Sequence, residues 1–219
     1  MSAVHLVFDL DGTLVDSAPD IHAAVAAMLA GEGRDALDLA TVISFIGLGL
    51  PNLVERVIRH CGMNLGDHAR LVGVTLAQYN AASSALTRTY PGVVAVLSAL
   101  QQAGHAMAVC TNKPEAPARA VLRDLGLARF FQVVIGGDTL AVTKPDPAPL
   151  HACIAALGGG ATLYVGDSEV DAATAVAAGV PFALFTEGYR KTPVADLPHD
   201  VAFSTFEALP ALVAQMRPV

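Results

Sequence analysis

The sequence predicts an α/β fold: a mainly parallel sheet between two layers of helices, with an all-helical cap inserted early in the chain. Three observations carry this. Short apolar strand-like runs alternate with helical patterns that close on glycine. One long Ala-rich stretch, residues 17–86, breaks that rhythm with no strand candidate. The first apolar run ends in a pair of aspartates, Asp9 and Asp11.

Residues 4–10 have the composition of a buried parallel strand and stop at a Gly12-Thr13 turn. Alternate side chains of a strand share a face, so Asp9 and Asp11 start on the same side while Leu10 points into the core. At about 4 Å and an effective dielectric of about 20, two carboxylates repel by about 4 kcal/mol, which calls for a divalent cation between them or a shared proton. A simple Asx turn needs no such pair. A calcium loop is excluded, because Val7 holds its first acidic position. Asp16-Ser17 reads as the start of the next helix.

The Ala-rich stretch carries turn signals at residues 31–33, 47–51 and 62–66 and returns at Tyr90-Pro91-Gly92. Because it leaves directly after the aspartates, it should stand over the carboxyl end of the sheet as a lid. Strand candidates follow at residues 105–110, 131–135, 162–165 and 181–185. The helical patterns before them span 93–102, 114–125, 147–157 and 168–178, and close at Gly104, Gly126, Gly158 to Gly160 and Gly179. The expected layout is a Rossmann-like three-layer core of residues 1–16 and 88–219, with a helical cap of residues 17–87.

The chain has 219 residues, 53% of them hydrophobic, enough for one sizeable domain with an insert. Its net charge of −7, with 13 Lys plus Arg against 20 acids, leaves no basic footprint for nucleic acid or an anionic membrane. Small anions remain possible partners. The three cysteines lack metal-ligand spacing. No apolar run approaches the roughly 20 residues of a membrane span, and acids from Asp9 onward interrupt any secretory signal, so a cytoplasmic protein is expected.

Three later segments place polar groups at other strand ends. In Cys110-Thr111-Asn112-Lys113-Pro114 a strand stops and a helix starts, so a hydroxyl, an amide and helix N-H groups gather as an anion cradle, or simply as a cap. In Thr143-Lys144-Pro145-Asp146-Pro147 the proline directs Lys144, a residue whose usual fate is solvent. In Gly166-Asp167-Ser168-Glu169-Val170-Asp171 one acid ends a strand and another sits a helical turn further on, a pattern that also serves N-capping.

Asp9-x-Asp11-Gly12-Thr13, Thr111, Lys144 and Gly166-Asp167-x-x-x-Asp171, in that order and spread over the whole chain, resemble the four motifs of the haloacid dehalogenase superfamily. The resemblance implies a two-step phosphatase. Asp9 would be the nucleophile and Asp11 the general acid and base. Mg2+ would sit on Asp9, the backbone carbonyl of Asp11 and Asp167. Thr111, Lys144, Asn112 and backbone N-H groups up to Gly12 and Thr13 would hold the phosphoryl group. Asp171, beside Ser168, would orient Lys144 or a metal-bound water. Asp11 argues against dehalogenation, whose halide leaving group needs no proton. A sugar phosphomutase would also keep both aspartates and add an early cap histidine, but His22 is one position out of register and reads as a surface or core residue. A pyrophosphatase and a non-catalytic relative are further alternatives.

Segments 111–114, 131–138, 144–147 and Gly188-Tyr189-Arg190 look like those of bacterial phosphoglycolate phosphatases, implying a small phosphorylated metabolite, 2-phosphoglycolate, as substrate. Its carboxylate would need a donor in the lid. Residues 44–49 offer backbone N-H groups, and Arg56 a charge. Whether the chain is a monomer or a homodimer is not legible from it.

Overall fold

The computed structural model describes residues 4–81 and 84–215. Residues 1–3, 82–83 and 216–219, which belong to the ranges assigned above to core and cap, lie outside the described residues.

The main sheet has six parallel strands: β1 (His5–Phe8), β4 (Met107–Cys110), β5 (Val133–Ile135), β6 (Thr162–Gly166), β7 (Phe182–Phe185) and β8 (Val201–Phe203). Their order across the sheet is β5-β4-β1-β6-β7-β8. Counted along the chain within this sheet, that is the doubly wound order 3-2-1-4-5-6, whose direction reverses between β1 and β6. The crevice beyond the carboxyl ends at such a reversal is where ligands of this architecture bind. Asp9 follows β1 and Asp167 follows β6, so both stand at that point.

The period-2 alternation of β1 divides the core into two layers. Leu6 and Phe8, both fully buried, pack with Leu97 and Val121 from α5 (Val93–Gln102) and α6 (Glu115–Asp124), and with Leu209 of α9 (Leu209–Gln215). Val7 packs on the other side with Leu150, Cys153 and Ala172 from α7 (Ala148–Ala156) and α8 (Glu169–Ala178). Truncating a buried aromatic such as Phe8 to alanine costs about 3–5 kcal/mol. Gly104, Gly126, Gly158 and Gly179 all have positive φ where they close helices, as their positions predict. Strand β8 and helix α9 are additions that the sequence did not announce: three residues bounded by turns carry too little periodicity to read.

Among the described residues, four α-helices lie between the first strand and the rest of the sheet: α1 (Ala18–Gly31), α2 (Leu39–Phe45), α3 (Gly49–His60) and α4 (His68–Ala81). They have a hydrophobic cluster of their own, including Val25, Met28, Leu29, Leu53, Val57, Ile58 and Leu71. In α3 the buried positions Leu53, Val54, Val57 and Ile58 recur at the spacing of one helical face. The chain enters and leaves this segment through a two-residue antiparallel ribbon, β2 (Val15–Asp16) against β3 (Arg88–Thr89). Two buried groups brace the crossing. The Asp20 carboxylate accepts from Leu86 N, Thr87 N and Thr87 Oγ1, and Tyr189 Oη accepts from Ser17 N and Ala18 N while donating to Asp16 Oδ1. No helix among the described residues is long and apolar enough to cross a membrane.

Candidate active site

The carboxyl ends of β1 and β4 open on one pocket, which the helical segment covers from above, and Asp167 at the end of β6 stands beside Asp9. Asp9, Asp11, Thr111, Asn112 and Lys113 line its floor. Asp9 is held by its own backbone, whose N-H donates to Val165 O across the β1–β6 ladder. Its neighbours are acidic: ligand oxygens of Asp9, Asp167 and Asp171 all lie within 4.8 Å of one another.

Lys144 answers part of that charge. Its Nζ is fully enclosed, 3.0 Å from Asp9 Oδ1, 2.7 Å from Asp171 Oδ1 and 3.0 Å from Tyr164 Oη. The solvated lysine that its residue type alone suggested is therefore absent. Burial pulls its ammonium down, but Asp171 and Asp9 more than offset this and leave its pKa raised. Asp171 itself is completely buried. Burial would push it up, yet Lys144 first, then Ser168 and Tyr164, hold it below the usual carboxylate range. Ser168 closes a capping box with Asp171 at the start of α8, so one residue both caps the helix and fixes the lysine's partner.

Asp9 and Asp167 are left under-compensated. Burial, opposed by Lys144 and aided by Asp171, pushes Asp9 up to about 7. Burial and the charges of Asp171 and Asp9 raise Asp167 well above its ordinary value, despite hydrogen bonds from Thr13 Oγ1 at 2.6 Å and Tyr189 N at 2.6 Å. Asp9 Oδ1, though near Lys144 Nζ, lies outside hydrogen-bonding geometry and has no donor among the described residues. A buried, donor-poor carboxylate oxygen beside a second carboxylate is a donor set of hard oxygens, and it fits Mg2+.

Both strand-end aspartates line the pocket, as strand alternation implied, but their carboxylates have different partners. The Asp11 carboxylate is paired with Lys113, whose Nζ lies 3.0 and 3.1 Å from its two oxygens, and accepts from Ser17 Oγ at 2.5 Å. Each carboxylate has its own lysine, and the acidic group whose oxygens lie close enough to hold a cation is Asp9 with Asp167 and Asp171.

The predicted phosphate cradle is only partly placed for that use. Thr111 Oγ1 borders the pocket and accepts from Lys113 N. The Asn112 side chain is spent on backbone: it donates to Gly47 O and Lys144 O and accepts from Lys144 N. Gly12 N-H donates to Val15 O, and Thr13 N-H to Leu10 O. Gly12, at φ +89°, is required for close approach, since a Cβ there would meet Asp167 Oδ2 at 2.5 Å. Gly188 is packed as tightly, against Asp167 and Gly12 O. Arg56 donates to Ser44 O and does not line the pocket; His22 is bonded to Leu37 O, likewise away from it.

Lys113, Tyr164 and Tyr189 had no assigned role in the sequence reading. Lys113 follows Thr111 and Asn112, whose residue types carry the anion-cradle pattern without it. The tyrosines read as strand and loop apolars, with no spacing that shows where their hydroxyls point.

Comparison with known proteins agrees with this geometry. A family model described as haloacid dehalogenase-like hydrolase matches residues 4–179. A phosphoglycolate phosphatase of Cereibacter sphaeroides is 51% identical over 213 residues, covering 96% of this chain and 98% of that protein. One from Rhodospirillum rubrum is 45% identical, over 93% of this chain and 88% of that one. The crystal structure of a predicted phosphoglycolate phosphatase from Haemophilus somnus superposes with a TM-score of 0.91 at 28% identity, over 96% of this chain and 97% of that chain. With the switch-point aspartates, the buried lysine and these matches together, the chain belongs to the haloacid dehalogenase-like hydrolases.

Proposed function

We propose that this phosphatase hydrolyses 2-phosphoglycolate to glycolate and phosphate, with Mg2+ and through an aspartyl-phosphate on Asp9. The observation that carries the mechanism is the separation of its two strand-end carboxylates. Asp9 stands in the acidic cluster with Lys144, and Asp11 stands apart on Lys113 and Ser17. The substrate rests on the names of the relatives at 51% and 45% identity.

In the first step an Asp9 carboxylate oxygen attacks phosphorus, and the bond from phosphorus to the glycolate oxygen breaks. Asp11 gives its proton to that oxygen as it leaves. In the second step a water attacks the phosphorus of the aspartyl-phosphate, Asp11 takes the water's proton, and phosphate departs with Asp9 restored. Lys144 is the point charge for the transferring oxygens, and the Thr111 hydroxyl is a second donor. Asp171 and Tyr164 keep Lys144 in place, and Ser168 keeps Asp171 in place. Asp9, Asp167 and the Asp11 carbonyl would hold Mg2+, which supplies neutralisation of the phosphoryl charge. Helices α1 to α4 act as a lid that excludes water from the floor.

Phosphate release from 2-phosphoglycolate, pyrophosphate, sugar phosphates and nucleotides, compared by kcat/KM in Mg2+ buffer, tests the reading. Preference for 2-phosphoglycolate is expected. A sugar phosphate or pyrophosphate favoured over it would refute the substrate, and no release from any would refute the mechanism.

A further inference from the structure

Above the catalytic floor the pocket is apolar, walled by Ile21, Leu50, Leu53 and Leu76. One corner differs. There Lys113 Nζ, which touches Asp11 at 3.0 Å, also lies 4.3 Å from the centroid of the Tyr79 ring. The Tyr79 hydroxyl is buried, its residue only 7% exposed, and it makes no hydrogen bond among the described residues. Leaving a buried hydroxyl unpaired is costly, so it points to a partner that arrives with the ligand. Lys113 is the only Lys or Arg among the described residues that line this pocket.

Resting on the 2-phosphoglycolate reading, we infer that Lys113 Nζ and Tyr79 Oη form the subsite that receives the substrate's carboxylate. The reach follows from the size of the substrate. Asp11 must come within hydrogen-bond distance of the bridging oxygen to protonate it. A single methylene separates that oxygen from the carboxyl carbon, so the carboxylate falls beside whatever touches Asp11, and Lys113 touches it. An ammonium has three protons and can serve Asp11 and the substrate together. The apolar wall then works as the selective element. It offers nothing to the hydroxyls of a longer leaving group, which would be buried unpaired. This places the carboxylate donor on a core loop and on α4, whereas the sequence looked for it in residues 44–49 and Arg56.

The test compares 2-phosphoglycolate with 2-hydroxyethyl phosphate, which replaces the carboxylate by a hydroxymethyl group and keeps an alkoxide that needs a proton. Lys113→Met and Tyr79→Phe are read by the ratio of the two kcat/KM values. The ratio is expected to fall about tenfold or more in Lys113→Met and about threefold to tenfold in Tyr79→Phe, through KM, with Lys113→Arg partly restoring it. Tyr79→Phe removes one atom and keeps the ring, so it informs even if Lys113→Met unfolds. A ratio within about twofold of wild type in both variants, with both substrates slowed in parallel, overturns the subsite and leaves Lys113 a positioning residue for Asp11. A wild-type enzyme without preference for 2-phosphoglycolate overturns the substrate reading itself.

Discussion

Protons and Mg2+ should compete for Asp9, and the structure sets the scale. Burial pushes this carboxyl from its ordinary value of 3.8 up to about 7. That difference corresponds to about 4 kcal/mol of penalty on the ionised form. Between about pH 4 and 7 the folded metal-free protein keeps a proton that the unfolded chain has released. Its stability therefore falls as pH rises through that window and levels off above about 7. Asp167, also raised, acts in the same direction. A cation that binds the ionised carboxylates reverses the trend. At pH 6 about one-tenth of Asp9 is ionised and at pH 8 about nine-tenths, so from Asp9 alone Mg2+ should bind about tenfold more tightly at pH 8, and Asp167 adds to that change. Isothermal titration calorimetry at pH 6, 7 and 8, in two buffers of different protonation enthalpy, gives both the Kd and the protons released. The metal-induced rise in Tm should grow over the same range. A Kd constant within about twofold from pH 6 to 8, with no proton release at pH 6, would refute Asp9 as a ligand with a raised pKa.

Two further outcomes follow from the contacts of Asp9 and Lys144. Asp9→Asn should abolish phosphate release and leave the circular dichroism spectrum unchanged, because Lys144 keeps its Asp171 partner; activity above about 1% of wild type would count against the nucleophile. Lys144→Met should lower stability by about 3–5 kcal/mol in denaturant melts as well as activity, since it strands the fully buried Asp171 charge, and adding Asp171→Asn should recover part of the stability but not the turnover.

What the sequence disclosed divides along physical lines. Asp9, Thr111 and Asp167 were legible because a parallel strand has a recognisable composition, and topology then fixes its carboxyl end at a binding crevice. The closing glycines were legible for a similar reason, since their helices need a left-handed residue there. Side-chain pairings across the chain were not. Lys113 and Lys144 both stand beside a proline, and nothing local says that one meets Asp11 and the other Asp9. Asn112 looked available for a ligand until the 144 loop was in place to take both ends of its amide.

The ribbon at the foot of the helical segment has a wider consequence. Val15 lies opposite Thr89 and Asp16 opposite Arg88, so from the sheet's side the whole segment is the loop of a short hairpin. Closing a loop costs entropy that grows only slowly with its length. Each doubling of the segment adds only about 0.6 kcal/mol to that cost, so the parts of the helices that touch neither the ribbon nor Asp11, Asn112 and Lys113 can be lengthened or reshaped at little expense to the core. Such a junction lets selection alter what the enzyme accepts while its chemistry stays fixed.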